Sequence, residues 1–103
     1  MKKDKNPSIE NMEKNSKKAE AMLKILANSK RLMILCHLVK NERTVSDLSS
    51  LVGLSQSALS QHLAKMRALN LVETKKIGQE VFYRIENIEV EAILMTLYLI
   101  YCK

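Results

Sequence analysis

The sequence lacks tryptophan and is poor in the residues that many catalytic and metal sites use. It has two histidines, two cysteines, two glycines and one proline, and aromatic residues make up only 4% of the chain. Because aromatic side chains are so few, we expect a core of leucine, isoleucine, valine, methionine and alanine. No nucleophile elbow, phosphate-binding loop or metal-ligand cluster is present, so we expect neither an enzyme nor a cofactor.

Long apolar runs are also missing. The N-terminal stretch is basic at its start, but no apolar segment follows as in a signal peptide. The longest apolar run, from Ala92 to Cys102, is shorter than the roughly 20 residues that span a bilayer. We therefore expect a cytoplasmic protein with no membrane partner, in which Cys36 and Cys102 are normally reduced.

The chain has room for one domain and carries an excess of positive charge. Its 103 residues are 47% hydrophobic, and 17 basic against 11 acidic residues give a net charge of +6. We expect a mobile tail over residues 1–8 and one folded domain over 9–102. A basic domain suits an anionic partner such as DNA, because neutralising phosphates releases counterions.

Helical spacing predicts two helices in the first forty residues. Apolar and small residues in steps of three and four give the first helix a seam that meets another helix. The seam consists of Ile9, Met12, Ser16, Ala19, Leu23 and Leu26. A second helix at about 30–40 follows a break at Asn28 and Ser29. Its predicted apolar stripe contains Leu32, Leu35, Cys36 and Val39, widened by Ile34 and Leu38.

Capping residues predict a helix-turn-helix in the middle of the chain. Thr44 caps a short helix at about 45–52, and Gly53 ends it where a left-handed backbone is needed. Ser55 then caps a helix at about 56–69. Two helices joined by a tight turn around a glycine describe this motif. The residues expected to be buried in the short helix are Val45, Leu48, Leu51 and Val52.

The pattern changes to β after Asn70. Two β-prone runs, 71–76 and 81–85, flank a turn with Gly78 and predict a hairpin. Asn87 caps a last helix at about 88–102. The predicted fold is mainly α with a small β-hairpin, four helices, two strands and a fifth helix. It is a winged helix-turn-helix, with the first and last helices forming a homodimer interface.

The helix after Ser55 has a core face of Leu59, Leu63 and Met66 and an opposite face that is small and polar. Such a face suits the major groove, and cations beside it suit phosphates. The candidate DNA-binding residues are Ser55, Gln56, Ser57, Ser60, Gln61, His62, Lys65 and Arg67, with Lys75, Lys76, Gly78 and Arg84 on the hairpin. A solvated helix and hairpin, or a helical protein-interaction module, are the alternatives. DNA affinity that falls steeply with salt separates them.

Three segments resemble the ArsR/SmtB family of repressors. LANSKRLMIL (residues 26–35) is similar to the family's opening, LSQSALSQHL (54–63) to its recognition helix, and GQEVFYRI (78–85) to its wing. The resemblance implies a winged-helix homodimer that binds double-stranded DNA at a palindromic operator. It also implies that DNA binding responds to a chemical signal.

The sensing patterns of the metal-responsive branches are absent. The short helix has no Cys-x-Cys motif, and the last helix has no histidine, so we expect no metal site. The remaining pair, Cys36 and Cys102, resembles the thiol-based branch that responds to oxidants or reactive sulfur species. The position of Cys36 on an apolar stripe, taken alone, favours core packing over a sensing role. A metal- or metalloid-responsive repressor that uses the same two thiols is the alternative.

Overall fold

The computed structural model describes residues 8–102, which form five helices and a three-stranded antiparallel sheet. In chain order the elements are α1 (Ile9–Leu26), α2 (Ser29–Lys40), β1 (Arg43–Thr44), α3 (Val45–Val52), α4 (Gln56–Ala68), β2 (Val72–Ile77), β3 (Glu80–Ile85) and α5 (Ile88–Tyr101). The predicted winged helix-turn-helix is confirmed. Residues 1–7 of the predicted tail lie outside the described residues.

Every helix begins at a side chain that caps it. Ser8, which we had grouped with the tail, accepts a hydrogen bond from the Asn11 backbone N–H. The caps of the other four helices are Asn28, Thr44, Ser55 and Asn87. Each oxygen satisfies a backbone N–H that has no partner within its own helix, and this local chemistry explains why the helix starts follow from sequence.

The sheet contains one strand that sequence reasoning missed. β3 lies between β1 and β2, and it pairs with β1 through Arg43 opposite Tyr83 and Thr44 opposite Phe82. The pairing of β2 with β3 leaves Gly78 and Gln79 as a two-residue loop. Gly78 has φ +63°, a value that glycine adopts without strain. β1 therefore ties the segment before α3 to the wing.

The core lies where α2, α3 and α4 meet the sheet and the first half of α5. Leu48 from α3 and Leu94 from α5 are fully buried, as are Leu59, Leu63 and Met66 from α4. The prediction that Leu51 is buried is wrong. The side chain is 45% exposed, because Leu48 and Val52 form the buried line of α3 and Leu51 falls beside it.

The second helix also buries a different stripe from the one expected. Ile34, Leu35 and Leu38 are buried, whereas the partly exposed Cys36 and Val39 pack at the edge of the core. Ile34 and Leu38, predicted only to widen the stripe, therefore lie at the centre of the buried face of α2, because this face meets the core.

Large apolar side chains remain exposed on the two outer helices. α1 buries only Leu26, and α5 buries only Val90 and Leu94. Of the exposed large hydrophobic residues, three lie on α1 and five on α5, including Leu99 at 73% and Tyr101 at 78% exposure. Within residues 8–102 no helix is long and apolar enough to cross a membrane.

Candidate nucleic-acid interface

The exposed face of α4 is polar. Leu59, Leu63 and Met66 anchor the helix in the core, so the opposite side must face outward. The exposed residues on that side include Ser57, Ser60, Gln61, Lys65 and Arg67. Within residues 8–102 their side chains make no hydrogen bond or ion pair. The donors and acceptors of this face are therefore available to a ligand.

The first turn of α4 is held by side chains that were predicted to meet DNA. The Ser55 hydroxyl accepts from the Ala58 N–H at 3.1 Å, and Gln56 Nε2 donates to Ser46 Oγ of α3 at 3.2 Å. Both residues are exposed. Gly53, with φ +71°, lets the chain reverse between the two helices. These contacts fix the direction in which α4 leaves the turn.

His62 lies at the side of the α4 face that approaches α2. Its Nδ1 accepts a hydrogen bond from Arg31 Nε at 3.1 Å, and the residue is half-buried. Burial, followed by the positive charges of Arg31 and Lys65, lowers the pKa of His62 below its ordinary value of 6.5. Sequence reasoning missed Arg31, because the two residues are far apart along the chain.

A second contact from the start of α2 was also missed. Lys30 Nζ donates to the Val52 carbonyl at 3.1 Å. A cation at this position satisfies a carbonyl at the C-terminal end of α3 and stabilises the helix dipole. Lys30 therefore helps to hold α3 in place directly before the turn.

The wing carries three cations, of which only Arg84 forms an ion pair among residues 8–102. Lys75, Lys76 and Gly78 are exposed. Neighbouring residues of a strand point to opposite faces, so the two lysines project on different sides of the hairpin. Arg84 instead pairs with Glu73 and with Glu42, and the Glu73 hydrogen bond is the main reason that the pKa of Arg84 is raised.

The carboxyl group of Glu73, which pairs with Arg84, also lies close to that of Glu86. A hydrogen bond with Glu86 and then one with Arg84 lower the pKa of Glu73, whereas Glu73 raises the pKa of Glu86. As the pH falls, Glu86 therefore takes up a proton before Glu73 does. The Arg84 charge is largely neutralised by carboxylates, unlike the charges of Lys75 and Lys76.

The structure brings the two cysteines to one place. Cys36 is partly buried on α2, Cys102 is exposed at the end of α5, and neither forms a disulfide. Both line an apolar cavity of about 200 Å³ between the two helices, together with Tyr98. A hydrogen bond with Cys36 and then burial raise the pKa of Tyr98 to about 12. Sequence reasoning missed Tyr98.

Polar groups lie at the edge of this thiol cavity. His37 and Lys40 line an adjoining cavity that both cysteines share. Although neighbouring residues point about 100° apart around a helix, His37 still lines this adjoining cavity together with Cys36. Within residues 8–102 no group of three or more histidine, cysteine or acidic side chains is placed to hold a metal ion.

A helix-turn-helix followed by a β-hairpin makes this chain a winged helix-turn-helix protein. Residues 28–74 match the family described as bacterial regulatory protein, arsR family. The chain is 51% identical over 96 residues to the transcriptional activator HlyU of Vibrio cholerae, covering 93% of this chain and 89% of that protein. It belongs to the arsR family and is a DNA-binding transcriptional regulator.

Solved structures agree with this assignment. Reduced HlyU from Vibrio cholerae N16961 matches with a TM-score of 0.85 and 52% identity, covering 92% of this chain and 100% of that one. A homodimeric winged helix-turn-helix DNA-binding domain from Mycobacterium bovis matches with a TM-score of 0.74 and 26% identity, covering 94% and 89%. The likeness covers 92% and 94% of this chain in the two cases, and therefore extends well beyond the central motif.

Proposed function

We propose that this regulator binds a palindromic operator as a homodimer and that oxidation or persulfidation of Cys36 and Cys102 controls its DNA binding. The observation that carries the proposal is the position of both thiols on one apolar cavity between α2 and α5. The helix that holds Cys36 also contacts the middle of α4, through the hydrogen bond from Arg31 to His62. Thiol chemistry therefore acts on an element that touches the DNA-binding helix.

In this proposal α4 enters the major groove. Gln61, Ser57 and Ser60 offer hydrogen bonds to base edges, and Lys65 and Arg67 meet phosphates. Ser55 and Gln56 lie at the helix N-terminus, where backbone N–H groups favour phosphate. On the wing, Lys75 and Lys76 contact the DNA backbone on the two sides of the hairpin, and Gly78 allows a close approach. Arg84 mainly shapes the wing, because Glu73 and Glu42 already hold its charge.

A second copy of the chain covers the apolar faces of α1 and α5. Ile9 at 75% and Leu99 at 73% exposure are too apolar to remain in water by preference. The radius of gyration is 16.0 Å, against about 13 Å for a compact domain of 100 residues. A lone chain is thus extended, and the Mycobacterium bovis relative is homodimeric. Two-fold symmetry would place two α4 helices on half-sites roughly 34 Å apart.

The proposed chemistry converts two thiols into one covalent link. With peroxide, the exposed Cys102 thiolate attacks an oxygen and breaks the O–O bond, giving a sulfenic acid and hydroxide. The Cys36 thiol then attacks that sulfur, the S–S bond forms and water leaves. In total the thiols lose two electrons and two protons, and peroxide becomes two waters. With a polysulfide, Cys102 takes one sulfane sulfur as a persulfide, and Cys36 displaces hydrosulfide from it.

A link between the cysteines would draw the end of α5 against α2. Because α5 belongs to the proposed dimer interface, this movement changes the spacing of the two α4 helices. A spacing that no longer fits one turn of DNA weakens binding to both half-sites together. Redox chemistry at the cavity thereby leads to release of the operator.

The test compares wild type with Cys36→Ser and Cys102→Ser in a gel-shift assay, with and without peroxide or polysulfide. We expect all three reduced proteins to bind the operator equally and only the wild type to release it on treatment. Mass spectrometry of the treated wild type should show a loss of two hydrogens with either reagent, since both routes end in the same disulfide. A serine variant that still releases DNA on treatment would disprove the thiol mechanism.

A further inference from the structure

Arg31, at the start of α2, joins three helices. Its Nε–H donates to His62 Nδ1 of α4 at 3.1 Å, and Nη1 donates to the Ile25 carbonyl of α1 at 3.4 Å. The guanidinium is planar and presents its donors in a fixed geometry. His62 is therefore held from one side of its ring.

This hydrogen bond decides where His62 keeps its proton. A neutral imidazole has one N–H and one bare nitrogen. Because Nδ1 accepts from Arg31, the proton must lie on Nε2, which points away from Arg31 on the other side of the ring. Within residues 8–102 Nε2 has no hydrogen-bond partner. No partnerless polar side-chain atom is buried there, so Nε2 reaches solvent.

We infer that Arg31 is a positioning residue for DNA binding, which holds His62 in the Nε2–H tautomer so that α4 offers this N–H to an acceptor on the duplex. The inference rests on the proposed role of α4 in contacting DNA. His62 follows Gln61 directly and precedes Lys65 by less than one turn, so its outer nitrogen lies beside the polar face. A neutral donor at this position adds a directional contact without adding charge.

The arrangement requires a neutral ring. A protonated His62 would place an N–H on Nδ1 against the donor of Arg31. Burial lowers the pKa of His62 most, and the positive charges of Arg31 from α2 and Lys65 from α4 lower it further. The unfolded chain therefore takes up this proton more readily, so His62 makes folding less favourable as the pH falls below 6.5.

Two substitutions of His62 separate its nitrogens. The amide nitrogen of glutamine reaches the position of Nε2, whereas that of asparagine reaches only the position of Nδ1. We expect His62→Gln to stay within about threefold of wild-type operator affinity and His62→Asn to bind about tenfold more weakly. Equal losses in both variants would overturn the inference.

A double-mutant cycle tests the action through His62. Arg31→Met should weaken operator binding by about tenfold in the wild-type background and add nothing to His62→Asn. An equal loss in both backgrounds would mean that Arg31 acts only on the fold, and would overturn the inference. Lys30→Met is the matched control, since it removes a neighbouring cation and its bond to Val52 while leaving His62 untouched.

¹⁵N spectra of the histidine rings read the tautomer in the free protein. We expect Nε2 of His62 to carry the proton in wild type and Lys30→Met, and a mixture of tautomers with a higher pKa in Arg31→Met. A proton on Nδ1 in wild type would overturn the inference. If Arg31→Met weakens binding to the operator and to an unrelated duplex equally, the acceptor for His62 Nε2–H is a phosphate. If it weakens binding to the operator alone, the acceptor is a base edge.

The Gln61→Ala variant tests the proposed DNA contact of α4 without changing Arg31 or His62. Wild-type operator binding by this variant would overturn both the proposed contact and the inference. Weak binding by Gln61→Ala together with an additive Arg31 effect would overturn the inference alone.

Discussion

At the scale of single residues, similar side chains on α4 and the wing have different tasks. Lys65 and Arg84 are both cations predicted to touch DNA, yet only Arg84 is paired with carboxylates. Gln56 and Gln61 differ in the same way, since Gln56 already bonds Ser46. What a residue offers to DNA depends on whether the fold has already engaged it, and the sequence does not show this.

The first prediction concerns Lys65 and Gln61, whose side chains have no hydrogen-bond or ion-pair partner among residues 8–102. Lys65→Ala should weaken operator binding and reduce the slope of log affinity against log salt by about one, because one phosphate contact is lost. Gln61→Ala should weaken operator binding with an unchanged slope. Fluorescence anisotropy over a salt series measures both. Lys17→Ala, an exposed cation on α1, is the control, and an unchanged slope in Lys65→Ala would contradict the assignment.

At the scale of elements, caps and turns set the direction of α4. Ser55 caps the helix and Gly53 reverses the chain before it, so the exit angle of α4 is fixed locally. Thr44 caps α3 and also belongs to β1, which pairs with the wing. α4 and the wing are therefore positioned relative to each other through α3 and β3.

The two roles of Ser55 can be separated by substitution. Ser55→Ala should lower the free energy of unfolding by about 1 kcal/mol through loss of the cap. Ser55→Asp should keep the cap and the stability, but weaken DNA binding because its charge repels phosphate. Urea unfolding and a gel shift measure the two effects. Normal operator binding by Ser55→Asp would show that DNA does not approach this end of α4.

At the scale of the whole molecule, a single chain leaves apolar faces of α1 and α5 exposed. α1 and α5 hold most of the exposed large apolar side chains of residues 8–102. They are the first and last helices of the domain that carries α4. The proposed dimer would cover these faces and present two copies of α4. DNA affinity would then depend on assembly.

A charge introduced into the exposed apolar face of α5 should therefore disrupt the dimer and weaken operator binding. Leu99→Asp should give a folded monomer by sedimentation equilibrium and weaken operator binding by about a hundredfold, because the two half-sites are no longer bound together. Leu51→Asp, at an exposed apolar position of α3, should leave the dimer intact. A dimeric Leu99→Asp protein would place the interface elsewhere.

The elements were predictable from the sequence wherever local chemistry decides them. Thr44, Ser55 and Asn87 cap helices, and Gly53 has the left-handed backbone that its position suggests. The polar face of α4 also followed from helical spacing.

Features that depend on distant partners were not predictable. The two residues of β1 form a strand only because β3 lies beside them. Arg84 meets Glu42, and Arg31 meets His62, across large separations in the chain. Leu51 was expected to be buried because its residue type suits a core, but the packing of α3 left it outside. Periodicity shows which residues share a face, and tertiary packing decides what each face meets.

The most direct test of the central claim is amide chemical-shift mapping of the reduced protein with and without operator DNA. We expect the largest changes at residues 55–67 of the α4 segment and 75–79 of the wing, with small changes along α1 and α5. Changes concentrated on α1 and α5, with α4 unaffected, would contradict the account.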